Sequence, residues 1–149
     1  MPRTPLFIRM VLLTLVCTLA FAAGTVQSAS AMTRSEAKLL AAVNRARANH
    51  GLRKLKLGGR LQRGAHAWAK YLQRRNVFYH ARLASGVSEN IGWLSCRRHW
   101  ARVMVHWWLD SYAHRVNLLD RSARRIGVGV AKGSYSRYSC TRMAVNRFR

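Results

Sequence analysis

With 149 residues, half of them apolar, the chain is long enough for one cored domain and too short for an array of them. Lysine and arginine total 27 against four acids, a formal net charge of +23, so most cations lack an internal carboxylate and attraction to anionic surfaces follows. The sequence contains no C-x-x-C, H-E-x-x-H, P-loop or G-x-S-x-G, which excludes thiol-redox and cysteine-cluster zinc chemistry and leaves a serine or cysteine hydrolase without support.

The first 31 residues read as a secretory leader. Arg3 and Arg9 precede an apolar run from Met10 to Ala23, and small residues follow, ending Ala29-Ser30-Ala31. The run is short for a membrane span, and Thr14, three residues before Cys17, argues against a lipoprotein attachment signal. The alternative is an uncleaved anchor. Cleavage after Ala31 removes 31 of the 149 residues, leaves 118, and takes away two arginines, lowering +23 to +21. No later segment reads as transmembrane. The expected location is secreted, extracellular or periplasmic. There, cell-wall polymers and acidic lipids are the expected anionic partners, and sequence-specific binding to nucleic acid is not expected.

Cys96 and Cys140 then form an even pair in an exported chain, a disulfide candidate worth about 2 to 4 kcal/mol, with two free buried thiols as the alternative.

Thr33-Arg34-Ser35-Glu36 fits a capping box, which predicts a helix from Arg34 with Leu39, Leu40, Val43 and Ala46 on its buried face, ending near Gly51. Lys38, Arg45 and Arg47 are assigned to its wet side. Leu52, Leu55 and Leu57 lie in a connector that Gly58-Gly59 breaks. A second helix is predicted over residues 60–76, with Leu61, Ala65, Trp68, Ala69 and Leu72 inward and His66 as a simple face histidine. Gly64 weakens it by about 1 kcal/mol relative to alanine.

Val77-Phe78-Tyr79-His80 leads into a loop, and residues 89–94 read as a strand. A third helix over residues 97–111 places Trp100, Val103, Met104 and Trp107 on one face and Trp108 on the next. Ile126 to Val130 alternates as a strand whose glycines admit a close approach. Lys132 to Ser136 can form a hairpin loop and Tyr138 to Phe148 the returning strand. This order predicts an α+β domain, helices packed on a small antiparallel sheet.

Three pieces stand out in order: Phe78-Tyr79-His80; Ser88-Glu89-Asn90-Ile91-Gly92-Trp93; and Trp107 to Asp120, which contains Ser111, His114-Arg115 and Asn117-Leu118-Leu119. Together they resemble the CAP superfamily, the SCP-like extracellular domain of cysteine-rich secretory proteins, antigen 5 and plant pathogenesis-related proteins, in its short bacterial form. The resemblance implies an α-β-α sandwich and assigns residues 32–149 to one CAP domain. It also implies a cleft where His80, Glu89 and His114 meet, with His80 and His114 able to hold zinc and Glu89 to orient an imidazole or serve as a base.

The sequence departs from the family pattern at several places. No acid lies between Ala81 and Ser88, where many relatives carry a second glutamate, so the usual four-residue set is incomplete; Ser88 replaces a common glycine and Tyr112-Ala113 a frequent Pro-Gly. Asp110 is a substitute acid if the helix carries it toward His114. Simpler roles stand beside each residue: His80 as a buried histidine, His114 as a helix C-cap, Glu89 as an acceptor for loop backbone or a partner for an arginine. His99 and His106 form a competing pair, and Asn90 and Asn117 are read as loop-fixing residues. Three functions compete: cleft binding of a small apolar or amphipathic ligand such as a lipid, or of a partner; zinc-dependent hydrolysis of peptide or cell-wall material; and a cationic adhesion or antimicrobial module.

Overall fold

The structure, a computed structural model, describes residues 32–149; the leader read at residues 1–31 lies outside them. The elements follow in the order α1 (Arg34–Asn49), β1 (Lys56–Leu57), α2 (Gly59–Arg75), β2 (Ser88–Ser95), α3 (Trp100–Asp110), α4 (Tyr112–Leu118), β3 (Arg125–Tyr135) and β4 (Tyr138–Phe148). The sheet order is β1-β3-β4-β2. The antiparallel expectation holds for β2, β3 and β4 and is corrected at the edge. There β1 pairs in parallel with β3 through Lys56↔Arg125 and Leu57↔Ile126, because the chain crosses over through α2 and the β2–α4 segment before returning. Beyond Leu57 the open edge of β3 is closed by a side chain: Gln62 donates to the Val128 carbonyl and accepts from its N–H, both at 2.8 Å. Among the described residues no helix is long and apolar enough to cross a membrane.

Two cores lie on opposite faces of the sheet. On one, Ala65, Ala69 and Leu72 of α2 pack on Ile91, Ala131, Met143 and Val145. On the other, Leu39 and Val43 of α1, Met104 and Trp108 of α3 and Leu118 of α4 pack on Ile126, Val128 and Phe148. The β3 glycines explain how closely α2 sits: a Cβ at Gly127 or Gly129 would collide with the backbone at Leu61 or Ala65. On the far face a Cβ at Gly92 would lie 2.6 Å from Met104 Sδ. The space it leaves lets the Trp108 indole N–H reach the Ile91 carbonyl at 3.1 Å.

The capping box at Thr33 and Glu36 forms as expected. Glu36 is fully buried, because its second oxygen meets His66 Nδ1 of α2 at 2.7 Å, so His66 joins two helices rather than merely decorating one. Arg47, placed on the wet side from its helical position, is instead fully buried. Its guanidinium donates to the carbonyls of Arg53, Leu118 and Asp120, fastening the end of α1 to the end of α4, and burial lowers its pKa. The tryptophan faces of α3 are exchanged: Trp108 is buried and Trp107 is 47% exposed. Cys96 and Cys140 form a disulfide with Cα atoms 5.4 Å apart.

Candidate functional site

The second edge strand of the sheet, β2, positions the candidate site. Residues 77–81 leave α2 and pass its α2 side; α4 packs on the other. Alternation along β2 sends Glu89 toward the α2 face and Asn90 toward α4.

Glu89 is a buried hub. Its Oε1 accepts from the Ala81 N–H at 3.1 Å and meets His80 Nδ1 at 3.0 Å, and its Oε2 takes Arg147 Nε at 2.9 Å. Both simpler roles foreseen for it, loop acceptor and arginine partner, are therefore filled at once. Arg147 is the register partner of Glu89 on β4, and its guanidinium occupies the space that a Cβ at Gly64 would need, so the helix-weakening glycine makes room for the ion pair. With Nδ1 turned to the carboxylate, the Nε2 of His80 is left for a ligand, and His80 itself is exposed rather than a core histidine.

His114 approaches from α4. The third helix stops at Asp110, and Ser111 begins a separate helix, so His114 lies in the first turn of α4 instead of capping α3. Its Nδ1 meets Ser111 Oγ at 2.8 Å and its carbonyl accepts from Asn90 Nδ2 at 2.9 Å. Asn117 Nδ2 donates to Asn90 Oδ1 at 3.0 Å, so the two asparagines fix α4 against β2 as expected. Burial lowers the His114 pKa, and the charge of His80 lowers it further.

Asp110 does not reach His114. The break at Ser111 leaves it one turn after His106, to which it lies at 3.6 Å, both groups exposed. His99 is the left-handed residue that starts α3, and the His99–His106 pair acquires no further ligand. Among the described residues no group of three or more histidines, cysteines or acids is arranged to hold a metal. A catalytic zinc site ordinarily has three protein ligands. Here His80 and His114 offer two ring nitrogens, while both Glu89 oxygens are committed, so the donor set falls short and no chemical step is assigned to a metal. Of the partners that fix the geometry, Ser111 lies in the third motif piece three residues before His114, whereas Arg147 carries no spacing signal of its own in the sequence.

A second site lies in the helical layer of α1 and α3. Between α1 and α3 a groove of about 970 Å³ has a floor that includes Ala42, Ala46, Trp100, Val103 and Leu109. Lys38, Arg45 and Arg102 stand along it.

The sequence profile of the cysteine-rich secretory protein (CAP) family matches residues 40–146. The chain belongs to that family. Solved CAP-like structures share the fold. An outer surface protein from Borrelia burgdorferi is 17% identical over 78% of this chain and 92% of its own, with a TM-score of 0.56. MpPR-1i is 21% identical over 76% and 85%, with a TM-score of 0.58. A cysteine-rich secretory protein from Staphylococcus aureus is 20% identical over 76% of this chain but 37% of its own, with a TM-score of 0.50. Among curated proteins compared by sequence, none matches.

Proposed function

We propose that this CAP domain is exported and binds an amphipathic anion with an apolar chain, such as a fatty acid, in the groove between α1 and α3. The observation that carries the reading is the groove itself: about 970 Å³ of space over an alanine, valine, leucine and tryptophan floor, with three long cations beside it. That volume falls in the range of small-molecule sites, and the lining supplies burial for a chain and countercharge for a carboxylate. The ligand-binding role belongs to this groove in preference to the His80, Glu89 and His114 cleft. The side chains expected to form that cleft are polar, with Glu89 held by His80 and Arg147 on one face of β2 and Asn90 by Asn117 on the other, and they offer an apolar chain little to cover. The disulfide and the leader-like first 31 residues support an extracellular or periplasmic setting.

Zinc-dependent hydrolysis is the weaker reading, because the residue that would act as base, Glu89, is held by Arg147, His80 and the Ala81 N–H. The test is titration of the purified protein with palmitate, followed through displacement of a fluorescent fatty acid. Saturable uptake is expected. It should fall at least about tenfold in Ala41→Trp, which projects into the groove from an exposed position, and in Arg45→Glu, while His80→Ala leaves it unchanged. Absence of uptake, or uptake insensitive to both groove variants, overturns the proposal.

A further inference from the structure

On the face of the sheet away from that groove, aromatic side chains gather at the surface in two clusters. Trp68 and Tyr71 of α2 stack at 4.9 Å with planes 12° apart, and Tyr79 meets both edge-on at 5.4 and 6.4 Å. The second cluster runs from Phe78 to Tyr135 at 6.5 Å, from Tyr135 to Trp93 at 5.0 Å, and from Trp93 to Tyr138 at 5.4 Å. The clusters meet at consecutive residues, Phe78 and Tyr79, and Trp68, Tyr71, Trp93 and Tyr135 rest on the same core beneath. Their inner edges complete that core. Their outer parts do not: Phe78, Tyr79 and Tyr138 are 44%, 47% and 39% exposed. Exposed aromatic surface gathered in this way is a mark of an interaction site.

Charge specifies the partner further. Arg137 lies over the Tyr138 ring at 5.5 Å, and Lys70, Arg74, Arg75 and Arg82 are exposed along α2 and the segment after it. The Tyr79 hydroxyl is raised in pKa chiefly by its hydrogen bond to Tyr71, with the nearby charge of Arg75 acting the other way. No surface carboxylate competes here. Glu36 and Glu89 are buried and paired, while Asp110 and Asp120 belong to α3 and to the turn after α4, on the opposite side of the sheet.

We propose that this aromatic and arginine surface binds a linear anionic polysaccharide, its sugar rings lying on the exposed Phe78, Tyr79 and Tyr138 rings and its carboxylates or phosphates paired with the flanking guanidinium groups. A pyranose presents a face of C–H bonds that packs on the electron-rich face of an aromatic ring, and tyrosine hydroxyls can bond its ring substituents. Single-stranded nucleic acid uses aromatic platforms and cations too. The ring planes here turn from 12° to 81° relative to one another, giving no ladder of parallel platforms for successive bases, whereas the rings of a glycan reorient along the chain.

The test compares three polyanions of matched charge on the purified protein at about 0.15 M salt: an alginate oligosaccharide, polyglutamate and oligothymidylate. Alginate should bind most tightly. The double variant Tyr79→Ala, Tyr138→Ala should lose about tenfold for alginate and nothing for polyglutamate, as expected for two ring contacts with charge unchanged. If the pair prevents folding, Tyr138→Ala alone, exposed at the start of β4, should still lose about threefold. Equal binding of alginate and polyglutamate, or alginate binding that ignores the tyrosines, overturns the proposal in favour of charge alone. Tighter, tyrosine-dependent binding of oligothymidylate overturns it in favour of nucleic acid.

Discussion

Replacing Glu89 by glutamine keeps the side-chain shape and removes the charge on which three donors converge. The carboxylate is almost wholly buried, its partner Arg147 has a side chain only 13% exposed, and the contacts to Arg147, His80 and Ala81 measure 2.9, 3.0 and 3.1 Å. The glutamine amide must present an N–H to at least one of these donors, and the Arg147 guanidinium is left in a half-closed site without a countercharge. Breaking a buried pair by removing one partner costs about 3 to 5 kcal/mol. Retained hydrogen bonding by the glutamine oxygen places Glu89→Gln near the lower end, about 3 kcal/mol. For a domain of this size that lowers Tm by roughly 10 to 15 °C, a large part of a total stability of about 5 to 15 kcal/mol. Thermal and urea unfolding of wild type, Glu89→Gln, Arg147→Met and the double variant would measure it. The double variant should recover at least about 1.5 kcal/mol relative to the sum of the singles, because it no longer buries a lone cation. Additive losses, or a Glu89→Gln cost below about 1 kcal/mol, refute the assignment of Glu89 as the structural hub of the edge.

Three further perturbations have definite signs. His114 has a pKa lowered from 6.5 by burial and by His80, so the unfolded chain binds its proton more readily than the folded one. Its contribution is intact above 6.5 and is lost as pH falls from there through the lower folded value; urea midpoints in chelator-treated buffer should show this decline, and His114→Gln should flatten it. The disulfide joins residues 44 apart, a loop whose closure restricts the unfolded chain by about 4 kcal/mol, so Cys96→Ala, Cys140→Ala should lose roughly that much in urea denaturation, and an unchanged midpoint would count against a constraining bond. Between about 10 mM and about 100 mM salt the screening length falls from about 30 to about 10 Å, which weakens repulsion among the surface cations while sparing buried pairs, so Tm should rise with salt and a fall would contradict the surplus of unpaired charge.

Much of the scaffold was readable because its signals are local. The Thr33/Glu36 box fixed the start of α1, a short β-branched and aromatic run located β2 and alternation located β4, each to within a residue or so, while β3 continues to Tyr135 through most of the stretch expected to be a hairpin loop. Motif order pointed to β2, where Glu89 meets His80 and Asn90 holds the His114 carbonyl, although spacing alone gave no view of what each ring nitrogen would face. The misses are tertiary. Apolar residues occur on two sides of α3, so a helical period fits either face; the room above Gly92 decides for Trp108 and leaves Trp107 in water. Arg47 has the helical position of a surface residue, yet the carbonyls of Leu118 and Asp120, more than 70 residues away, draw it inward. The break at Ser111 has neither glycine nor proline to announce it, and it redirects Asp110 to His106. Strand β1 is two residues long, too short for any periodicity to register.

The way this fold spends its few carboxylates bears on what its surface can do. Glu36 and Glu89 are both buried, and each joins a histidine to a distant segment: Glu36 ties α1 to α2, and Glu89 ties residues 77–81 to β2 while holding Arg147 of β4. Where a third such tie is needed, at the end of α1, no acid is used, and Arg47 donates to backbone carbonyls instead. Internal cohesion thus consumes half of the acids and two of the arginines, leaving Asp110 and Asp120 to face all the other cations. A fold under pressure only to stabilise itself gains nothing from such an excess, since unpaired like charges repel. The two proposed sites give that excess a use: an anionic headgroup at the groove between α1 and α3, and an anionic chain across the aromatic face of α2 and the sheet.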